Sequence, residues 1–373
     1  MSAKRILVTG GLGFIGSFLV DELLKRGHAV RVFDNLDHQV HPGGKPPAYF
    51  NWAVDFVRGD VRDGDTLRRA LRNTDVVFHK AAAVGMGQSQ YQIKRYVDTN
   101  IGGTANLLDL LANTRHQVEK VIVAASMSSY GEGAYRCDRC GPVRPTFRTE
   151  EQVASGMWDP PCPSCGGSLT PLPTDETATP SGTAVYATTK RVQEELVLNV
   201  GQTYHIPVVA LRYFNVYGPR QSLSNPYTGV TAIFMSRMKN GHRPVIYEDG
   251  LQTRDFVSVH DVVRANLLAM ERSEADYEAL NVGSGLPLTI REVASTLSKL
   301  YGVSMSPEIT NRFRKGDVRH CYADTTKIQT RLGFTAQVSF EKGMKELIEW
   351  SRGVEAQDGF ERATRELKEK GLV

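Results

Sequence analysis

Apolar positions in the first third of the chain switch repeatedly between two periods. Residues 5–8 form a short apolar run that ends in glycines. Over 14–26 the apolar residues Phe14, Ile15, Phe18, Leu19 and Leu23 recur at helical spacing, and Gly27 stops the helix. A second strand is predicted over 29–33, and further strands over 54–57, 76–78 and 121–124. Helices are predicted between them at 66–72 and 91–113. The alternation resumes with a helix over 185–204 and a strand over 207–212. Strands that are apolar throughout, alternating with amphipathic helices, predict an α/β fold with a Rossmann-like, doubly wound parallel sheet.

Two stretches interrupt this pattern. Residues 41–47 are rich in Pro and Gly and read as a surface loop. Residues 137–173 lack periodicity and hold four of the five cysteines. A structureless loop of that length inside a compact domain needs something to hold it. After 220 the elements shorten, which predicts a smaller C-terminal substrate lobe with some strands returning to the main sheet. The expected division is a first Rossmann part at 1–136, an insertion at 137–173, a second Rossmann part at 174–214, a lobe at 215–350 and a helical tail at 351–373. The charged helix predicted over 360–370 reads as a solvated face.

Composition narrows the function classes. Lys and Arg number 45 against 41 Asp and Glu, a balance too even to favour nucleic acid or an anionic membrane. No run of about 18 apolar residues is present, so no membrane span is expected. The start of the chain lacks the features of a signal peptide, so a cytoplasmic protein without structural disulfides is expected.

The first chemical signal is Thr9-Gly10-Gly11-Leu12-Gly13-Phe14-Ile15-Gly16, placed between a strand and a helix. Glycines at 10, 13 and 16 permit a tight turn, close approach of a pyrophosphate and close helix packing. The helix N-terminus adds free N–H groups. Asp34 closes the second strand, where a carboxylate accepts from a ribose 2′-OH and repels a 2′-phosphate, favouring NAD over NADP. Tyr186 and Lys190 follow later in Tyr-Ala-Thr-Thr-Lys, a spacing that sets both on one helical face. A nearby ammonium, helped by an oxidised nicotinamide, is expected to lower the tyrosine pKa from its usual value of about 10.

With these motifs the chain resembles the extended short-chain dehydrogenase/reductase superfamily, to about residue 350. The resemblance implies NAD contacts from Gly10, Gly13, Phe14, Ile15, Gly16, Asp34, Asn35, Tyr186 and Lys190. It adds Asp60 and Val61 as an adenine-contacting pair, Ala81 and Ala82 along the cofactor, and Asn100 as a helix asparagine supporting the site. Ser126, four residues before Tyr130, matches the catalytic serine or threonine, and Ser128 is a second contact. The dehydratases of this superfamily carry Asp-Glu directly after that residue, and its decarboxylases carry a glutamate where Ser128 stands. Met127 and Ser128 lack that chemistry, which leaves reversible oxidation, as in the 4-epimerases. Asn215, in Arg-Tyr-Phe-Asn, matches a residue contacting the nucleotide sugar, and Arg254 and Arg314 match diphosphate-binding arginines.

The interrupted stretch holds Cys137-x-x-Cys140 and Cys162-x-x-Cys165, separated by residues 141–161. Two such knuckles can complete a tetrahedral, closed and therefore structural Zn²⁺ site. Four free thiols or two redox pairs are the alternatives. The insertion is expected to flank the sugar pocket. Its cysteines and the segment Ala83-Val84-Gly85-Met86-Gly87-Gln88-Ser89 resemble those of dTDP-L-rhamnose 4-epimerases. The resemblance implies an NAD-dependent 4-epimerase acting on a nucleotide-diphosphate sugar, and a homodimer by analogy. A UDP-hexose epimerase, a 4-keto-sugar reductase and a non-catalytic NAD-binding scaffold are the rival readings.

Overall fold

The computed structural model describes residues 2–373. Seven strands form one sheet: β1 (Arg5–Thr9), β2 (Ala29–Asp34), β3 (Asp55–Arg58), β4 (Val76–His79), β5 (Lys120–Ser126), β6 (Val208–Tyr213) and β7 (Glu278–Val282). All pairings are parallel and the order is 3-2-1-4-5-6-7. Helices α1 (Phe14–Lys25), α2 (Gly64–Leu71), α3 (Gly103–Asn113), α4 (Val185–Thr203) and α5 (Val259–Glu271) pack on it. Successive residues of a strand face opposite sides, so both layers can be read within β1. Ile6 and Val8 pack with Leu19 and Leu23 of α1 and Val262 and Leu267 of α5. Leu7 packs with Leu67 of α2, Leu107 of α3 and Val197 of α4. Burial on both faces is why the strands are continuously apolar rather than alternating.

The helix expected over 91–113 is broken. A short turn, Ile93–Tyr96, runs into a π-helical turn at Val97–Gly102 before α3 begins. Helical periodicity cannot reveal one inserted residue, and such turns gather at functional sites. Asn100 sits inside it.

The second lobe centres on helices Val230–Lys239, Ile290–Tyr301 and Phe340–Arg352, which share an apolar cluster with Phe256 and Ile246. Its strand Thr253–Ser258 pairs with Asn215–Tyr217, Pro287–Thr289 and His320–Cys321. Within 215–350, α5, β7 and the helix Thr326–Leu332 return to the Rossmann core.

The insertion is more regular than its sequence predicts. Ala134–Cys137 lies between Gly141–Val143 and Leu169–Leu172 in a three-stranded antiparallel sheet, with a short helix at Glu150–Ala154. Strands this short, carrying Pro142 and Pro171, leave no alternation to detect. Buried charges weld this unit to the second lobe. Arg148 meets Glu248 at 2.9 Å and Glu132 at 3.7 Å. Arg319 meets Glu248, Asp249 and Asp159 at 3.0, 2.6 and 2.7 Å. No helix among the described residues is long and apolar enough to cross a membrane.

Candidate functional site

A cleft of about 700 Å³ opens over the C-terminal ends of the strands and runs into the second lobe. It lies where the strand order reverses between β1 and β4, the usual ligand position in such sheets.

At one end it is lined by Gly10, Gly13, Phe14, Ile15 and Gly16. A Cβ on Gly16 would stand 2.2 Å from the Gly10 carbonyl oxygen, so this turn closes only around glycine. α1 starts at Gly13 without a side-chain cap, leaving the amides of its first turn for a ligand. Asp34, Asn35, Asp60, Val61, Ala81 and Ala82 line the same end. Asp34 accepts from the Leu12 and Leu36 amides at 3.0 and 2.9 Å, and burial raises its pKa. It thus shapes the turn as well as facing the cleft. The Asp60 carboxylate is bound by Arg62 and Asn35 and held down to about 2, chiefly by Arg62. His79 bridges Thr9 and Thr104 at 2.9 and 3.0 Å and stays neutral, because burial lowers its pKa to about 3. Lys80, unremarked in the sequence, lines the cleft with its ammonium 2.9 Å from the Tyr213 hydroxyl.

Ser126, Ser128, Tyr186 and Lys190 line the middle. The Ser128 hydroxyl and amide both donate to the Ser126 oxygen, at 2.9 and 3.2 Å, so the Ser126 proton is free to point elsewhere. The electrostatics differ from the expectation. Burial pushes Tyr186 up to about 12, opposed only by a hydrogen bond with Ser126, and pulls Lys190 down to about 7. The Lys190 ammonium donates to the Ala124 carbonyl and the Gln193 side chain, both at 2.7 Å, instead of reaching the phenol. Helical spacing puts the two residues on one face, but these acceptors set where the amine points.

Asn100 does not line the cleft. It is fully buried, accepts from the Ala83 amide at 2.8 Å and donates to the Ala83 carbonyl and Thr189 hydroxyl, both at 3.0 Å. It therefore ties Ala83 to α4 through Thr189 instead of facing the cleft, where a direct cofactor contact would be made.

Asn215, Arg254 and Arg314 line the far half. The Asn215 side-chain oxygen is buried without a partner, as expected of an atom reserved for a ligand. The arginines are less free than expected. Arg254 donates to the carbonyls of Thr253, Val318 and Arg319, and Arg314 pairs with Asp317 at 2.8 Å. Phe360, Ala363, Thr364 and Leu367 also line the cleft, so the helix Phe360–Glu369 is no solvated appendage. Its apolar residues at i, i+3 and i+7 were the available signal.

The four insertion cysteines have sulfurs all within 4.8 Å of one another. No residue of 137–173 lines the cleft, but Arg148 contacts Glu248 and the Asp317 carbonyl, which do, so the insertion flanks the cleft from behind that wall without covering it.

Comparison with known proteins agrees with this geometry. The model of the NAD dependent epimerase/dehydratase family matches residues 6–148 and 164–283. A dTDP-L-rhamnose 4-epimerase from Burkholderia thailandensis is 35% identical over 353 residues, covering 94% of this chain and 95% of that protein. A UDP-glucose 4-epimerase from Thermotoga maritima, solved with UDP-glucose, superposes with TM-score 0.76 at 33% identity, covering 93% of this chain and 98% of that one. The Thermus thermophilus UDP-glucose 4-epimerase, solved with NAD, gives 0.73 at 31% identity, over 94% and 100%. The chain is an NAD-dependent enzyme and belongs to the NAD dependent epimerase/dehydratase family.

Proposed function

We propose that the protein is a nucleotide-sugar 4-epimerase acting on a dTDP-6-deoxyhexose such as dTDP-L-rhamnose. The observation carrying this reading is that Ser126, Tyr186 and Lys190 share one cleft with the glycine turn, and that the cleft continues to the unpartnered Asn215 oxygen. The residues present fit a dinucleotide. The Gly10–Gly16 turn and the uncapped start of α1 suit a pyrophosphate, and the Asp34 carboxylate suits the ribose of NAD rather than NADP. Bound NAD supplies the acceptor and donor of hydride at the sugar carbon.

The chain's own groups handle the proton. Tyr186 as phenolate takes the proton of the C4 hydroxyl and returns it to the C4 oxygen when the alcohol re-forms. Burial opposes that phenolate, so positive charge must favour it, and Lys190 would supply it by turning from the Ala124 carbonyl and Gln193 toward the phenol. Ser126 donates to the reacting oxygen, with Ser128 holding it in place. Asn215 and the two arginines anchor the nucleotide diphosphate while the 4-keto sugar turns; Arg314 would exchange Asp317 for phosphate. Met127 and Ser128 offer no acid for eliminating water.

The likeness to UDP-glucose 4-epimerases favours UDP-hexose as the second reading. Incubation with dTDP- and UDP-sugars, followed by NMR of the C4 configuration, separates the two. Inversion without net consumption of reduced cofactor is expected. Stoichiometric consumption would make the protein a keto-reductase, and no turnover on either panel would defeat the proposal.

The reading extends to a structural Zn²⁺ at Cys137, Cys140, Cys162 and Cys165. Four thiolates around one zinc stand about 3.8 Å apart, compatible with the observed cluster. It extends also to a homodimer through the helices near Asn100 and Tyr186, where Ile93 and Val97 are exposed.

A further inference from the structure

We propose that the C-terminal helix Phe360–Glu369 is a wall of the sugar site. Ala363 and Leu367 there select a 6-deoxyhexose over its 6-hydroxy counterpart. This rests on reading the cleft as a nucleotide-sugar site.

Three observations place the helix at the reacting end. Ala363 and Leu367, one turn apart, both line the cleft and are otherwise almost fully buried. Leu367 packs directly on Gly87, where a Cβ would come within 3.1 Å of it. Gly87 belongs to the turn Met86–Ser89, and the Ser89 hydroxyl accepts the Tyr186 amide at 3.0 Å. Leu367 is therefore joined to the proposed catalytic tyrosine through one short segment.

The helix is also fixed in place. The Glu366 carboxylate accepts from the Tyr91 and Tyr227 hydroxyls at 2.7 and 2.5 Å. Arg237 pairs with Asp358 and Glu361 at 3.3 and 3.2 Å and stacks on Phe360. The Lys315 amide donates to the Leu372 carbonyl at 3.0 Å, tying the end of the chain to the loop that carries Arg314. A wall held from both ends can discriminate by shape and polarity.

The chemistry of that wall sets the direction of selection. Ala363 and Leu367 offer a sugar substituent no hydrogen bond. A methyl set against Ala363 and Leu367 loses nothing, whereas a hydroxymethyl held there, away from the Thr364 hydroxyl that also lines the cleft, gives up water without replacement. Apolar pockets of this kind discriminate against an added hydroxyl by at most about a hundredfold.

The test compares kcat/KM for dTDP-L-rhamnose and its 6-hydroxy counterpart, dTDP-L-mannose, in the full-length wild type, Leu367→Ser and Ala363→Ser. The wild type should favour the 6-deoxy sugar by about ten- to a hundredfold. Each serine should shrink that ratio, through KM more than kcat, while NAD binding by calorimetry stays unchanged. A wild type without that preference, or two variants that keep its ratio, would overturn the proposal. If Leu367→Ser unfolds, Ala363→Ser decides alone. A wild type that turns over neither sugar nucleotide would instead overturn the functional reading beneath it.

Discussion

Replacing Asn100 by Ala tests how the helix break supports the site. The substitution removes three hydrogen bonds, two to the Ala83 backbone and one to Thr189. Thr189 retains the Tyr186 carbonyl as an acceptor, so the loss falls mainly on the Ala83 amide and carbonyl. An unsatisfied buried polar group costs about 1–3 kcal/mol, and Ala83 lines the cleft, where water can reach it in part. A total of about 3 kcal/mol is therefore expected. For 373 residues the unfolding entropy is about 0.8 kcal/mol/K, so the melting temperature should fall by about 4 °C. Ala83 adjoins Ala82 in the cleft wall proposed to hold NAD, and loosening it should weaken NAD binding by about tenfold, equivalent to about 1.4 kcal/mol. Thermal unfolding and calorimetric titration with NAD read the two effects. An Asn100→Ala protein with wild-type melting and wild-type NAD affinity would show that the asparagine does not hold this segment.

Four further outcomes are expected. Tyr186→Phe should lower epimerase turnover by at least about a hundredfold while NAD still binds, and near-normal turnover would remove its proton-transfer role. Folded Lys190 titrates near 7 against an ordinary 10.5, so the unfolded chain binds more protons between those values and this group's contribution to stability rises with pH across them. The stability gained by Lys190→Met over wild type, measured by urea unfolding, should thus shrink as pH rises from 7 to 10; a gap independent of pH would contradict the burial argument. Elemental analysis should find one zinc per chain, and its chelation should expose the insertion to protease without releasing NAD; a metal-free protein with a protected insertion would exclude zinc. Sedimentation should show a dimer that Val97→Asp converts to monomer, and a wild-type monomer would end that reading.

The parts of the site legible in the sequence are those whose chemistry is local. Gly10 to Gly16 lie on one turn, Asp34 ends the adjacent strand, and each cysteine pair spans four residues. The missed features depend on partners far apart in the chain. Lys80 meets Tyr213 across 133 residues, and Glu366 meets Tyr91 across 275. Nothing near position 80 forecasts the first contact. The second hid behind the charge of its own helix, whose surface residues outnumber Phe360, Ala363 and Leu367. The Tyr186 environment shows a different limit. Spacing states which face a lysine occupies, but the Ala124 carbonyl and Gln193 that draw it aside come from β5 and the next turn of α4.

The Arg148–Glu248 contact makes the insertion something other than a detachable ornament. Excising it would take Arg148 from the carboxylates of Glu132 and Glu248, both 2% exposed, and leave Glu132 without its ion-pair partner. Stranding a buried charge commonly costs about 3–5 kcal/mol. A version of this fold without the loop would therefore have to rewrite positions 132 and 248 at the same stroke.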